Sequence, residues 1–156
     1  MHGNVFEEGL SGKGMKVALV ISRFNHDITS RLKDGCLKSL AEHEVSQDDI
    51  GVFHVPGSFE IPVTAKILAR SEKYDAIVAI GAVVKGETPH FDYVCKEVAD
   101  GVSKVSYDHG LPVIFCVVTT NNLAQAEERA KEDKSNKGYE AGLAAIEMVQ
   151  LMRKIK

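Results

Sequence analysis

Residues 81–90 read GAVVKGETPH and follow directly on the apolar run Ala76–Ile80. Histidine is the side chain whose charge changes near neutrality, so His90 is the candidate for proton transfer. The spacing from Gly81 to Thr88 approaches the phosphate loop G-x-x-x-x-G-K-[ST], but Glu87 stands where the lysine that meets the terminal phosphates belongs. That substitution argues against nucleotide triphosphate hydrolysis. What survives is more general: glycines let backbone N–H groups approach a ligand, and a helix opening just afterwards offers unsatisfied donors to one anion. The same residues also suit a plain glycine turn with Thr88 as helix cap, and the loop alone leaves both readings open. Asp92 stands where it would either orient the imidazole or cap the helix. The other histidines, His2, His26, His43, His54 and His109, have no comparable neighbours in sequence.

Three further segments carry polar or aromatic groups directly after apolar runs. Phe24 in SRFN is an aromatic ring in a polar loop, suited to stapling the next helix or to serving as a platform for a planar ligand. Ser58 and Glu60 in PGSFE would hydrogen-bond a polyhydroxyl ligand or cap a helix. Arg129 precedes, and Lys137 lies near the end of, AKEDKSNKG, a stretch so charged that solvation alone accounts for it.

The elements that must position these groups follow from periodicity. Val17–Ile21, Ile50–Val55, Ala76–Val84 and Val113–Val118 read as strands, apolar on both faces. Helices are predicted from the capping candidates Asn25 or Asp27 (Ile28, Leu32, Cys36, Leu40), around Val63 and Ile67 with Pro62 in the first turn, and along Val94, Val98, Val102 and Val105 to Gly110. A short helix opens at Asn121 or Asn122 and runs through Ala130, and a last one starts near Gly138 with Leu143, Ile146, Val149 and Met152 inward. Strands alternating with helices imply a three-layer α/β/α fold, flavodoxin-like, around a four-stranded parallel sheet. In such a sheet the four loops SRFN, PGSFE, GAVVKGETPH and VTTNN share the carboxyl rim.

The 156 residues are 44% hydrophobic, enough for one packed core, so residues 15–156 are expected to form one domain preceded by an extended arm, residues 1–14. A net charge of −3, with 22 acidic and 19 basic residues interspersed, excludes a basic stripe for nucleic acid. No apolar run is long enough to span a membrane, and Cys36, Cys95 and Cys116 are odd in number and scattered, so a soluble, unprocessed, cytoplasmic protein with buried reduced thiols is expected. No metal-ligand spacing is present, so no metal is expected.

Taken together and in order, SRFN, PGSFEIP, GAVVKGETPHFDYV, PVIFCVVTTNN, QAEERA and NKGYEA resemble the lumazine synthase family, over essentially the chain from Lys16 onward. The resemblance implies condensation of 5-amino-6-(D-ribitylamino)uracil with 3,4-dihydroxy-2-butanone 4-phosphate to 6,7-dimethyl-8-ribityllumazine, without a cofactor. It implies that Phe24 stacks on the pyrimidinedione, that Ser58, Phe59 and Glu60 contact the same substrate, and that Ala82, Val83 and Val84 line it through their backbone. Glu87 and Thr88 would receive the phosphate, His90 would move the proton, and Phe115, Arg129 and Lys137 would reach in from a neighbouring subunit. Lys85 stands where many members have arginine and Ser58 where many have alanine. The implied assembly is a homo-oligomer built on pentamers; the short segment from Arg129 to Lys137 favours a sixty-subunit shell, with riboflavin synthase a candidate partner. Three alternatives remain beside it: a flavin carrier, a shell protein with a decayed site, and an aldolase using Lys85 as a Schiff-base nucleophile.

Overall fold

Runs rich in valine, isoleucine and alanine become the central sheet. The computed structural model describes residues 3–6 and 9–156. Its elements run β1 (Val17–Ser22), α1 (His26–Glu42), β2 (Ile50–Val55), α2 (Ile61–Ser71), β3 (Ala76–Val84), α3 (His90–His109), β4 (Val113–Thr120), α4 (Leu123–Arg129) and α5 (Lys137–Ile155). The strands are parallel in the order β2-β1-β3-β4. Val17 lies opposite both Ile50 and Ala76, and Ile77 opposite Val113. β1 is buried throughout because helices cover both faces of the sheet, whereas β2, at the edge, alternates.

Alternation along the strands divides the interior into two cores. Val17, Leu19, Ile21, Val78 and Ile80 pack with α1 and α5, while Ala18, Val20, Ile77 and Ala79 pack with α2 and α3. The four-residue stripes predicted for α1 and α3 are the buried ones. The helix marked by Val63 and Ile67 is present, but both side chains are exposed, and Ile61, Pro62, Ala65 and Ala69 seat it on the sheet. In α5, Ile146 and Val149 are buried as expected, yet Leu143 and Met152 are only half-buried. The contact face is shifted onto Gly138, Ala141, Gly142 and Ala145.

Close approach of two helices explains that shift. A Cβ on Gly138 would collide with the Leu32 carbonyl of α1, and one on Gly142 would meet Ser39 Oγ and, at 3.0 Å, the Cys36 carbonyl oxygen. Small residues therefore win over large ones along this seam. Gly138→Ala forces α5 off α1 and is expected to destabilise the fold by about 2–3 kcal/mol, the usual cost of overpacking against a rigid backbone. The check is a urea midpoint lowered at unchanged slope; an unchanged midpoint would show that the seam yields.

The order β2-β1-β3-β4 reverses direction between β1 and β3, and open α/β sheets bind ligands in the crevice at such a point. Pairing of β1 with β3 extends as far as Ile21 and Ile80, while β3 continues beside β4 to Val84 and Thr120. Residues 82–84 thus run past the end of β1, without a strand partner on that side.

Candidate active site

Backbone hydrogen bonds lace the first two rim loops together. Arg23 N–H donates to Val55 O at 2.8 Å and Phe24 N–H to Pro56 O at 3.2 Å. Asn25 takes a left-handed conformation, φ 59°, which asparagine tolerates. It occupies the N-cap position of α1 but makes no side-chain cap bond. Its Nδ2 instead donates to Ala82 O at 2.7 Å, across the point where β1 and β3 part. That bond ties the loop carrying Phe24 to the projecting end of β3, and the Phe24 ring is left 70% exposed.

After Pro56-Gly57, a single 3₁₀ turn, Ser58–Glu60, leads into α2, with Pro62 in its first turn, where no N–H is needed. Gly57 leaves room for the carboxylate of Glu60: a Cβ there would lie 3.3 Å from Oε1. On the far side, α3 begins at His90 behind Pro89, which supplies no side-chain cap. Thr88 Oγ1 accepts from His90 N–H at 3.4 Å, a long contact, so the positive end of a twenty-residue helix faces the same space. Asp92 lies in that first turn, where its charge complements the dipole.

These elements enclose a cleft of about 720 Å³ lined by Phe24, Ser58, Phe59, Glu60, Ala82, Val83, Val84, Thr88 and His90. Nine of the residues singled out in the sequence therefore share one site. Pro56, Gly57 and Gly86, from loops expected at this rim, complete its wall with Phe91 and Val94, which were not among the expected site residues. Glu87 and Lys85 are exposed and lie outside the lining.

Phe115, Arg129 and Lys137 are elsewhere. They line a separate depression of about 390 Å³ formed by β4, α4 and α5, on the open edge of the sheet. Arg129 Nη1 donates to Gln125 O of its own helix at 2.9 Å, and Lys137 pairs with Glu140 at 3.0 Å. Both cations are exposed, so these local bonds hold them only loosely. Asn122 and Asn136 cap α4 and α5 through their side chains, onto Gln125 N–H and Tyr139 N–H, and set the two cations at neighbouring helix ends.

Burial keeps the cysteines in the thiol form. Burial pushes the Cys116 thiol up to about 12, with Glu140 adding to it, and burial likewise raises Cys36. Burial, then Asp92, raises Cys95, so all three stay protonated at neutral pH. Among the described residues no group of His, Cys, Asp and Glu is arranged to hold a metal, and no helix is long and apolar enough to cross a membrane.

A doubly wound parallel sheet with helices on both faces and a cleft at its switch point defines a flavodoxin-like α/β protein. More narrowly, the family model for 6,7-dimethyl-8-ribityllumazine synthase matches residues 14–153, and the chain belongs to that family. It is thereby a transferase of riboflavin biosynthesis, and membership implies that it binds substrates and assembles into an oligomer.

Proposed function

We propose that the cleft condenses 5-amino-6-(D-ribitylamino)uracil with 3,4-dihydroxy-2-butanone 4-phosphate, and that it does so only when a second subunit supplies Phe115, Arg129 and Lys137. The observation that carries this reading is the division of the candidate residues. Nine line one cleft, and the two cations with Phe115 line another on the sheet's free edge. Joining the cleft of one protomer to the edge of the next unites ring platform, proton carrier and cations.

In the filled site Phe24 stacks on the pyrimidinedione, the main chain of 82–84 meets its polar edge, and Glu60 accepts from ribityl hydroxyls. The phosphate rests on the N–H groups at Thr88 and the start of α3, with Arg129 closing over it. The C5 amine then adds to the ketone carbon, and water leaves to give the imine. Loss of phosphate and closure by the ribitylamine nitrogen, with a second water leaving, completes the ring. Each stage moves a proton at nitrogen or carbon, and His90, which lines the cleft, is the group we assign to carry it. Holding two substrates in register supplies most of the acceleration. Pentamers, arranged as a sixty-subunit shell, in the cytoplasm are the assembly we favour, and analytical ultracentrifugation decides it.

The test is optical: the two substrates mixed with the protein should give the lumazine chromophore. No product, with a yellow flavin retained instead, would turn the reading to a carrier. Arg129→Ala is expected to raise KM for the phosphate substrate roughly tenfold to hundredfold, the worth of a hydrogen bond to a charged group, with KM for the uracil little changed. A change in stability alone would remove Arg129 from the site.

A further inference from the structure

Ser22 Oγ is the one buried side-chain polar atom among the described residues that has no hydrogen-bond partner, and Ser22 is 0% exposed. A buried hydroxyl left unpaired costs free energy, so its retention needs a reason. Its position supplies one.

Ser22 is the last residue of β1 and pairs with Val55, directly before the Pro56-Gly57 wall of the cleft and two residues before Phe24. Ile21 stands opposite Ile80, so Ser22 is level with Gly81 of β3, which in turn pairs with Val117. Strand alternation places Ser22 on the face of Ala18 and Val20, the side covered by α2 and α3. On that face the row reads Val55, Ser22, Gly81, Val117. Gly81 has no side chain there, and Ser58 Oγ fills the space, in contact with the point a Cβ would occupy. Ser58 is 6% exposed and lines the cleft. Neighbouring strands are about 4.8 Å apart, so the two serines occupy adjacent places in this row under the cleft, Ser22 the deeper, and their hydroxyls do not bond each other in this state.

We propose that Ser22 is a positioning residue for the pyrimidinedione. When the ring occupies the cleft, Ser58 Oγ donates to a ring carbonyl oxygen and, by a change of side-chain rotamer, comes within reach to accept the proton of Ser22 Oγ. The unpaired hydroxyl then gains its partner only in the bound state. A hydroxyl chain of this kind is polarised along its length, which strengthens the terminal bond to the ligand. It also favours a ring that presents a carbonyl at that depth over one that presents a methyl or C–H, because the latter leaves two buried hydroxyls unsatisfied.

This inference rests on the proposed uracil site, and the experiment separates the two. Binding of a 6-ribitylamino-pyrimidinedione lacking the reactive 5-amino group is measured by calorimetry on the assembled protein. Wild type, Ser22→Ala, Ser58→Ala and the double variant are compared. Ser22→Ala is expected to bind about tenfold more weakly, the scale of one net hydrogen bond, while its thermal midpoint stays level or rises because the unsatisfied hydroxyl is gone. A merely structural serine would not weaken binding while stability is maintained. The double variant is expected to bind no more weakly than Ser58→Ala alone, since Ser22 acts through Ser58. Equal affinity of Ser22→Ala and wild type, or additive losses in the double variant, overturns the inference and leaves the site standing. No binding by wild type overturns both.

Discussion

Subunits carrying His90→Ala and subunits carrying Arg129→Ala, refolded together in equal amounts, should regain activity that neither possesses alone. If each site takes its imidazole from one chain and its guanidinium from the next, random mixing leaves about a quarter of the sites with both groups intact. The assay is run with the phosphate substrate far below the KM of the Arg129 variant, so that both parents are nearly silent. A site contained within one chain predicts the average of the two parents, roughly a few per cent of wild type, because every chain then carries one damaged group. The structure favours the first outcome: His90 lies on the wall of one cleft, and Arg129 lines another beside the unpaired edge of β4. A mixture no faster than that average would place both residues in a single-chain site and dismantle the shared-site reading. Wild-type chains mixed with the double variant serve as the control, since they too leave a quarter of the sites intact.

Burial on both faces is why the sheet was legible before any coordinates. A parallel strand covered on each side must be apolar throughout, and β3 spans Ala76–Val84 as its composition predicts. Helix stripes were as plain where large residues form them, as in α1 and α3. They misled in α5, where helix packing distance selects glycine and alanine instead, and periodicity counts only the large residues. In α2 the apolar Val63 and Ile67 mark a helix correctly but face outward, because apolar periodicity does not say which partner it serves. An apolar face left open on one chain fits a protein that assembles.

The site was legible in part for a similar reason. Loops after buried strands must meet at one rim, so types and spacing sufficed to gather Phe24, Ser58, Glu60 and His90. The free edge at the sheet's carboxyl end was not readable from types, since it is the main chain of 82–84 running past β1 that creates it. Asn25 read as a helix cap and proves to brace Ala82 instead, a choice set by a left-handed backbone that no pattern discloses. Arg129 and Lys137 gained a role only through family resemblance. Their helix caps are local, and on one chain they line a depression apart from the cleft.

His90→Ala is expected to lower kcat about 10²-fold, with KM for both substrates nearly unchanged and the lumazine still the product. His90 is exposed on the cleft wall at the first position of α3, so it can reach a bound ligand without supporting the fold. Its loss removes the proton carrier but leaves Phe24, Glu60 and the projecting β3 main chain to hold the two substrates in register, and that orientation accounts for the residual rate. His90→Gln distinguishes proton transfer from hydrogen bonding: an amide holds a ligand oxygen but does not shuttle protons, so it should be as slow as alanine. If His90 instead held the phosphate, removing it would raise KM for that substrate while kcat stayed level, because the interaction would serve ground and transition states alike. Steady-state kinetics with each substrate varied separate the two roles, and an undiminished kcat in both variants would assign the proton transfers to solvent or to the phosphate itself.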